Sequence, residues 1–273
     1  MAGMVPTGGS RDCLRPASGG SAPVSPPRVQ FVIGGVQKGG TTALARYMAQ
    51  HPDVRLPHGK EAHVFDAPSF DESWDVARVD AAYAPHFAGQ PPGGVHGDAT
   101  PIYMLHPLLV ERIARYNPQM RWILLLRDPA ERAISHFNME RRRGLEHWPL
   151  LPALLLERFR LSGHGDDFSD RSPLRTYSYR LRGDYVRQLD AIHAHFPAAQ
   201  VKLLRSDRLR RAPQSCLEEI FDFLGLPPPR SPIDVAPVFE GGYRAPGPLL
   251  SGFVRWLFRR ERRELARRYG IRF

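Results

Sequence analysis

Residues 29–42 read Val29-Gln30-Phe31-Val32-Ile33-Gly34-Gly35-Val36-Gln37-Lys38-Gly39-Gly40-Thr41-Thr42. The β-branched and aromatic run Val29–Ile33 stops at two glycines, as a buried strand does on entering a turn. From Thr41 to Gln50 the apolar residues Leu44, Tyr47 and Met48 recur at helical spacing, and Pro52 ends the pattern. Strand, glycine-rich loop and helix in that order open an α/β nucleotide fold. The loop is nearly a P-loop, which needs Gly, four residues, Gly, then Lys and Ser or Thr. Gly35 and Gly40 have this spacing, but Thr41 stands where the lysine belongs, and the ammonium sits three residues earlier at Lys38. The glycines still let backbone N–H groups approach an anion, and the helix beginning at Thr41 still offers its positive end.

Further along, Trp122-Ile123-Leu124-Leu125-Leu126 is a continuous apolar run, the pattern of a parallel strand covered on both faces. Asp128-Pro129-Ala130-Glu131 supplies an N-cap, a proline at the first helical position and a capping-box glutamate, so a helix should run to about Arg143 and stop at Gly144. A third strand is expected at Gln200–Leu204, and a helix from about Pro213 to Leu224 ended by Gly225. Between them, Tyr179 to Phe196 reads as one helix with Tyr185, Leu189 and Ile192 on a stripe. Ser162 to Arg175 has no periodicity and reads as a mobile surface loop. Alternating strands and helices predict a three-layer, P-loop-like α/β nucleotide fold with a mostly parallel central sheet, formed as a single domain by residues 29–273.

The 273 residues are 42% hydrophobic and 24% charged, as in an ordinary soluble globular protein. Residues 1–28 are rich in Gly, Pro and Ser without an apolar h-region and read as a disordered leader, not a signal peptide. No apolar run approaches the ~18–20 residues that span a bilayer. Two cysteines, Cys13 and Cys216, form neither a disulfide framework nor a metal-ligand spacing, which gives a cytoplasmic address and no metal site. A net charge of +10 and a pI of about 10.1 point to anionic partners: nucleic acid, a membrane surface or a phosphorylated cofactor. Only Lys38, Lys60 and Lys202 among the 38 basic residues are lysines, so one of three compact ammonium groups lies in the glycine loop. The tail from Leu249 to Phe273 sets eight arginines around Leu250, Val254, Leu257, Leu265 and Tyr269. Such a helix either docks its apolar side on the core or makes a weak contact with an anionic membrane surface.

Four stretches, in order, carry a family resemblance. The loop Lys38-Gly39-Gly40-Thr41-Thr42-Ala43-Leu44 after its strand resembles the 5′-phosphosulfate loop of sulfotransferases that use 3′-phosphoadenosine 5′-phosphosulfate (PAPS). More narrowly, it resembles the branch of the heparan sulfate N- and O-sulfotransferases and their bacterial relatives. His51-Pro52-Asp53 followed by Lys60-Glu61-Ala62-His63-Val64-Phe65-Asp66 is similar to that branch's catalytic-carboxylate segment. Leu126-Arg127-Asp128-Pro129 with Arg132, Ala133 and Ser135 is similar to its 3′-phosphate site, and Phe223-Leu224-Gly225-Leu226 to the helix end that follows. The likeness spans roughly residues 29 to 245.

The resemblance implies a metal-free transfer of a sulfuryl group from PAPS to a hydroxyl or amine of a sugar, lipid or natural-product acceptor, with no nucleic-acid partner. It places Gln37, Lys38, Gly39, Gly40, Thr41 and Thr42 on the donor's 5′ side, with Lys38 at the sulfuryl–phosphate bridge. Arg127 and Ser135 fall on the 3′-phosphate, joined by Tyr243 and Arg244 from a closing loop. Glu61 is the implied general base, with His63 as its runner-up or orienting partner. In Gly97-Asp98-Ala99-Thr100-Pro101 an alanine stands where heparan-type enzymes carry a second lysine, and no paired-cysteine loop lies near the C-terminus. These departures weigh against a polysaccharide acceptor. Two other readings stay open at this level: a P-loop kinase using ATP and magnesium, for which Asp128 is the candidate carboxylate, and a non-catalytic basic module for nucleic acid or membranes.

Overall fold

The computed structural model of the chain describes residues 28–236 and 246–273. Five strands, β1 (Val29–Gly35), β2 (Val54–Arg55), β3 (Val95–Asp98), β4 (Arg121–Leu126) and β5 (Val201–Arg205), form one sheet in the order β2-β3-β1-β4-β5. Every pairing in it is parallel. A parallel sheet must be covered on both faces, and the alternation of side chains along β1 and β4 shows how. Val32, Trp122, Leu124 and Leu126 join one cluster with residues of the helices α2 (Val76–Tyr83) and α3 (Pro107–Tyr116). Phe31, Ile33, Ile123 and Leu125 face the other way, onto α1 (Thr41–Met48). The expected three-layer α/β architecture is the one observed.

The second half of the chain completes these layers. Helix α4 (Pro129–Arg142) follows β4. Asp128 caps it as the sequence predicts, accepting from the N–H groups of Ala130 (3.0 Å) and Glu131 (3.1 Å). Glu131 does not close the capping box. Its carboxylate turns to Arg127 at 3.4 Å and Arg255 at 3.8 Å, because a nearby guanidinium outcompetes a neutral N–H for it. Short helices α5 (Leu150–Leu155), α6 (Glu157–Arg160) and α7 (Pro173–Tyr177) lead to α8 (Tyr185–His193). The single helix read over Tyr179–Phe196 is therefore shorter; a 3-10 turn at Leu181–Gly183 precedes it, although Tyr185, Leu189 and Ile192 are buried on one stripe as expected. Beyond β5 come α9 (Ser206–Arg211) and α10 (Pro213–Leu224), which ends at Gly225 with φ 70°.

Two further expectations are refined. The segment 162–175 is largely an exposed surface loop as read, but it is anchored at intervals and ends in α7: Phe168, Ser172 and Leu174 are buried, and Arg175 donates to the buried Asp66. The tail is two helices, α11 (Pro248–Leu257) and α12 (Arg259–Tyr269), broken at Phe258, whose ring is itself buried with Val254 against α4. The leader assigned to residues 1–28 lies outside the described residues except for Arg28. That residue is anchored, donating from Nη2 to the Tyr116 carbonyl at 2.7 Å. Tyr243 and Arg244, expected on the 3′-phosphate, also lie outside the described residues.

Candidate active site

The loop after β1 turns back on the sheet through backbone bonds. Val36 N–H donates to the Leu125 carbonyl (3.2 Å) and Gly39 N–H to the Val36 carbonyl (2.8 Å). Ser206 Oγ, at the end of β5, donates to the Gly39 carbonyl, and Arg127 Nη1 to the Lys38 carbonyl at 3.3 Å. This close approach needs glycine at 39, where a Cβ would lie 2.4 Å from the Leu125 oxygen. Gly40, the N-cap of α1, has φ 102° and no side chain caps the helix, so its first-turn N–H groups are left to an outside acceptor. Lys38 adopts φ 69°, a left-handed conformation uncommon for a residue with a Cβ. Burial, and then the charges of Arg142, Arg127 and Arg143, hold its ammonium below the ordinary lysine value, with Glu140 opposing.

One cleft of about 930 Å³ opens at the carboxyl ends of the strands, where open α/β sheets bind ligands. It brings together Gln37, Lys38, Gly39, Gly40, Thr41, Thr42, Glu61, His63, Arg127 and Ser135. These ten positions, read from three separate stretches of sequence, line the same space. Ser135 is only 4% exposed although it faces the cleft from α4, so it is not a helix-surface serine. Arg132, from the same matched stretch, turns inward and donates to the Tyr179 carbonyl.

Glu61 and His63 meet even though their segment is not a strand, with His63 at φ 54° and Lys60 at φ 73°. His63 Nε2 lies 3.2 Å from Glu61 Oε2, and its Nδ1 lies 2.8 Å from the buried Asp66 Oδ2. Burial by itself would lower the imidazole pKa, but hydrogen bonds to Asp66 and Glu61 outweigh it and raise it to about 9. Burial would likewise raise Glu61, yet hydrogen bonds from His63 and Lys60 hold its carboxyl below the ordinary range. At neutral pH the group is thus a carboxylate flanked by an imidazolium, and Glu61 is the member able to take a proton. Asp66 is fixed in turn by Arg175 Nη2 at 2.6 Å.

Sequence alone does not mark Lys60 as a site residue, yet its Nζ pairs with Glu61 and reaches Thr41 Oγ1 at 3.5 Å. Its carbonyl accepts from Ala99 N–H at 3.2 Å, so the ammonium absent at position 99 is present on the adjoining segment. Asp98, beside it, is wholly buried. It accepts from Tyr103 OH (2.7 Å), Tyr83 OH (3.0 Å), Thr100 Oγ1 (2.6 Å) and Ala62 N–H (3.1 Å), and thereby fixes the base segment to β3. Arginines 142, 143, 171, 175, 182 and 210 also line the cleft. The buried Arg182 donates from Nε to Ser178 at 2.8 Å, and burial lowers its pKa to about 9. No periodicity or motif marks these arginines in a chain so rich in them; only the fold gathers them. Asp128, the carboxylate a magnesium site would require, is committed to capping α4 and pairs with Arg262 at 3.3 Å.

The sulfotransferase-domain family model matches residues 28–235, more than half of the chain. The chain belongs to the sulfotransferase family. It is 31% identical over 197 residues to human heparan sulfate glucosamine 3-O-sulfotransferase 3B1, covering 72% of this chain and 46% of that protein. It is 31% identical over 198 residues to human heparan sulfate glucosamine 3-O-sulfotransferase 6, covering 72% and 52%. The chain thus spans about half the length of the curated relatives it matches. Among solved structures, the sulfotransferase from Alicyclobacillus acidocaldarius superposes with a TM-score of 0.69 at 26% identity, covering 88% of this chain and 95% of that one. The parallel sheet with flanking helices is therefore the fold of a sulfotransferase.

Proposed function

We propose that this protein transfers a sulfuryl group from PAPS to a hydroxyl or amine of an acceptor carrying negative charge, a glycan or a small molecule. One observation carries the proposal: the Lys38 loop, the Glu61 carboxylate and the Arg127–Ser135 pair line a single cleft. The residues present fit a donor with phosphate at both ends. Open N–H groups at the start of α1 suit the 5′-phosphate, and the space kept clear by Gly39 lets backbone approach it. Arg127 and Ser135 offer a guanidinium and a hydroxyl for a second phosphate. When bound, PAPS supplies an activated sulfuryl group on a phosphate leaving group.

Lys38 places positive charge where negative charge grows on that phosphate, and so favours the transition state over the ground state. Burial at the loop strengthens this interaction because water is kept from screening it. Glu61 takes the acceptor's proton as its oxygen or nitrogen attacks sulfur. His63, held by Asp66, orients the carboxylate, and Lys60 links it to Thr41 on the donor loop. The cost of basicity lost to these cations is offset by the fixed aim of the carboxylate.

For the acceptor, the cleft arginines favour an anionic partner and disfavour a neutral lipid. The heparan sulfate relatives support a glycan of this kind. The test is transfer of label from sulfur-labelled PAPS to a panel of sulfated, carboxylated and neutral sugars and phenols. Label on anionic acceptors with none in the Lys38→Ala protein is the expected result. Preference for neutral acceptors would overturn the assignment of acceptor class, and no transfer or donor hydrolysis at all would overturn the activity.

A further inference from the structure

Helix α11 is apolar on two sides. Leu250, Val254 and Leu257 turn inward to the cluster on α4, with Val254 fully buried. Leu249, Phe253 and Trp256 repeat at helical spacing on another side and are 93%, 39% and 51% exposed. The Phe253 and Trp256 rings stack on each other at 5.6 Å. A surface helix needs only one apolar stripe to dock, so a second, fully formed one calls for an occupant. From sequence, the Leu250, Val254 and Leu257 stripe has two open roles, docking on the core or contact with an anionic membrane surface. In the structure those residues do the docking, and the outward stripe is a different set.

The charge beside the stripe says what that occupant is. Past the break at Phe258, exposed positions continue at the same spacing as Arg260, Arg263 and Arg267, and residues 248–273 hold eight arginines against two glutamates. The Arg259 guanidinium lies 3.9 Å over the Trp256 ring, so cation and apolar surface are joined directly. A second copy of the chain packed here about a two-fold axis would bring two such arginine clusters together. Nucleic acid would engage the arginines and leave Leu249, Phe253 and Trp256 in water. An anionic bilayer satisfies both halves, since the apolar side chains enter the headgroup–acyl boundary while the arginines meet phosphate. Among the described residues no helix is long and apolar enough to cross a membrane, so the contact is peripheral.

We propose that α11 and the start of α12 form a membrane-docking face for anionic phospholipid, with Leu249, Phe253 and Trp256 as its inserted residues. It is independent of the donor site, none of whose residues it uses. The test is co-sedimentation of the full chain with phosphatidylglycerol–phosphatidylcholine vesicles and with pure phosphatidylcholine vesicles. The comparison protein carries Leu249→Ser, Phe253→Ser and Trp256→Ser together. The expected result is binding to the anionic vesicles that is about tenfold weaker on phosphatidylcholine. The triple variant should lose about tenfold or more while keeping its melting temperature and its binding of adenosine 3′,5′-bisphosphate. Three outcomes would each overturn the proposal. One is equal vesicle binding by the triple variant, another a dimer that the triple substitution dissociates, and the third retention on duplex DNA with no vesicle binding.

Discussion

Replacing Gly39 by alanine perturbs the donor loop at a point where the structure fixes the cost. The added Cβ would lie 2.4 Å from the Leu125 carbonyl oxygen, 2.8 Å from the Val36 carbonyl oxygen and 2.9 Å from Val36 Cγ2. Neither oxygen can retreat freely: the first accepts from Val36 N–H and the second from Gly39 N–H. The loop must therefore move, at a cost of about 1–3 kcal/mol by analogy with overpacked sites. For a domain of this size that lowers the melting temperature by roughly 2–12 °C. The same movement displaces the N–H groups at the start of α1. Losing one hydrogen bond to a charged phosphate is worth about 1.5–3 kcal/mol, or roughly 10- to 150-fold in affinity. Thermal denaturation and calorimetric titration with adenosine 3′,5′-bisphosphate read the two effects. Gly165→Ala, whose Cβ would meet nothing within 4 Å, is the control and should change neither quantity. A Gly39→Ala protein that binds the bisphosphate as tightly as the parent would refute the assignment of this loop to the donor's 5′-phosphate.

Glu61→Gln keeps shape and removes the base, so turnover should fall by about 10²- to 10⁴-fold while bisphosphate affinity is retained; equal loss of both in a steady-state and binding comparison would make Glu61 structural. Arg127→Ala should weaken adenosine 3′,5′-bisphosphate far more than adenosine 5′-monophosphate, and a uniform loss for both nucleotides would remove Arg127 from the 3′-phosphate. His63 is raised from 6.5 to about 9 by Asp66 and Glu61, against the effect of burial, so its contribution to stability is complete below pH 6.5 and lost as pH rises through about 9. His63→Gln should therefore flatten the decline of melting temperature across that window, and an unchanged pH profile would contradict the ion triad.

The features legible in the sequence are those where one local rule dominates. Val29–Ile33 and Trp122–Leu126 are apolar runs with no competing pattern, and both are inner strands of the sheet. The cap at Asp128 and the stop at Gly225 follow from backbone chemistry that needs no distant partner. Strand β2 is two residues long and β3 contains Gly97 and the buried Asp98, so neither presents an apolar run to read. Asp98 belongs inside because the nearby Thr100 and Tyr103 and the more distant Tyr83 and Ala62 N–H all donate to it, an arrangement no hydropathy pattern shows. The stretch 162–175 is polar on average, and it takes tertiary contacts, among them Arg175 with Asp66 and Asp166 with His106, to make part of it a wall of the cleft. Lys60 is not marked as a site residue by its sequence for a related reason, since its contacts Thr41 and Ala99 are remote along the chain. In the tail the inward stripe was readable from spacing, whereas the outward stripe of Leu249, Phe253 and Trp256 becomes evident only once the docked side is known.

The central claim is that this cleft holds a nucleotide phosphorylated at both the 3′ and 5′ positions, and ligand-induced thermal stabilisation tests it most directly. Adenosine 3′,5′-bisphosphate and ATP with magnesium are compared on the parent protein at matched concentrations. Saturation with a ligand at a hundred times its dissociation constant adds about 2.7 kcal/mol of stability, which this domain reports as a rise of roughly 5–11 °C. The account predicts that rise with the bisphosphate and little with ATP–magnesium. Stabilisation by ATP–magnesium in the absence of any effect of the bisphosphate would contradict it.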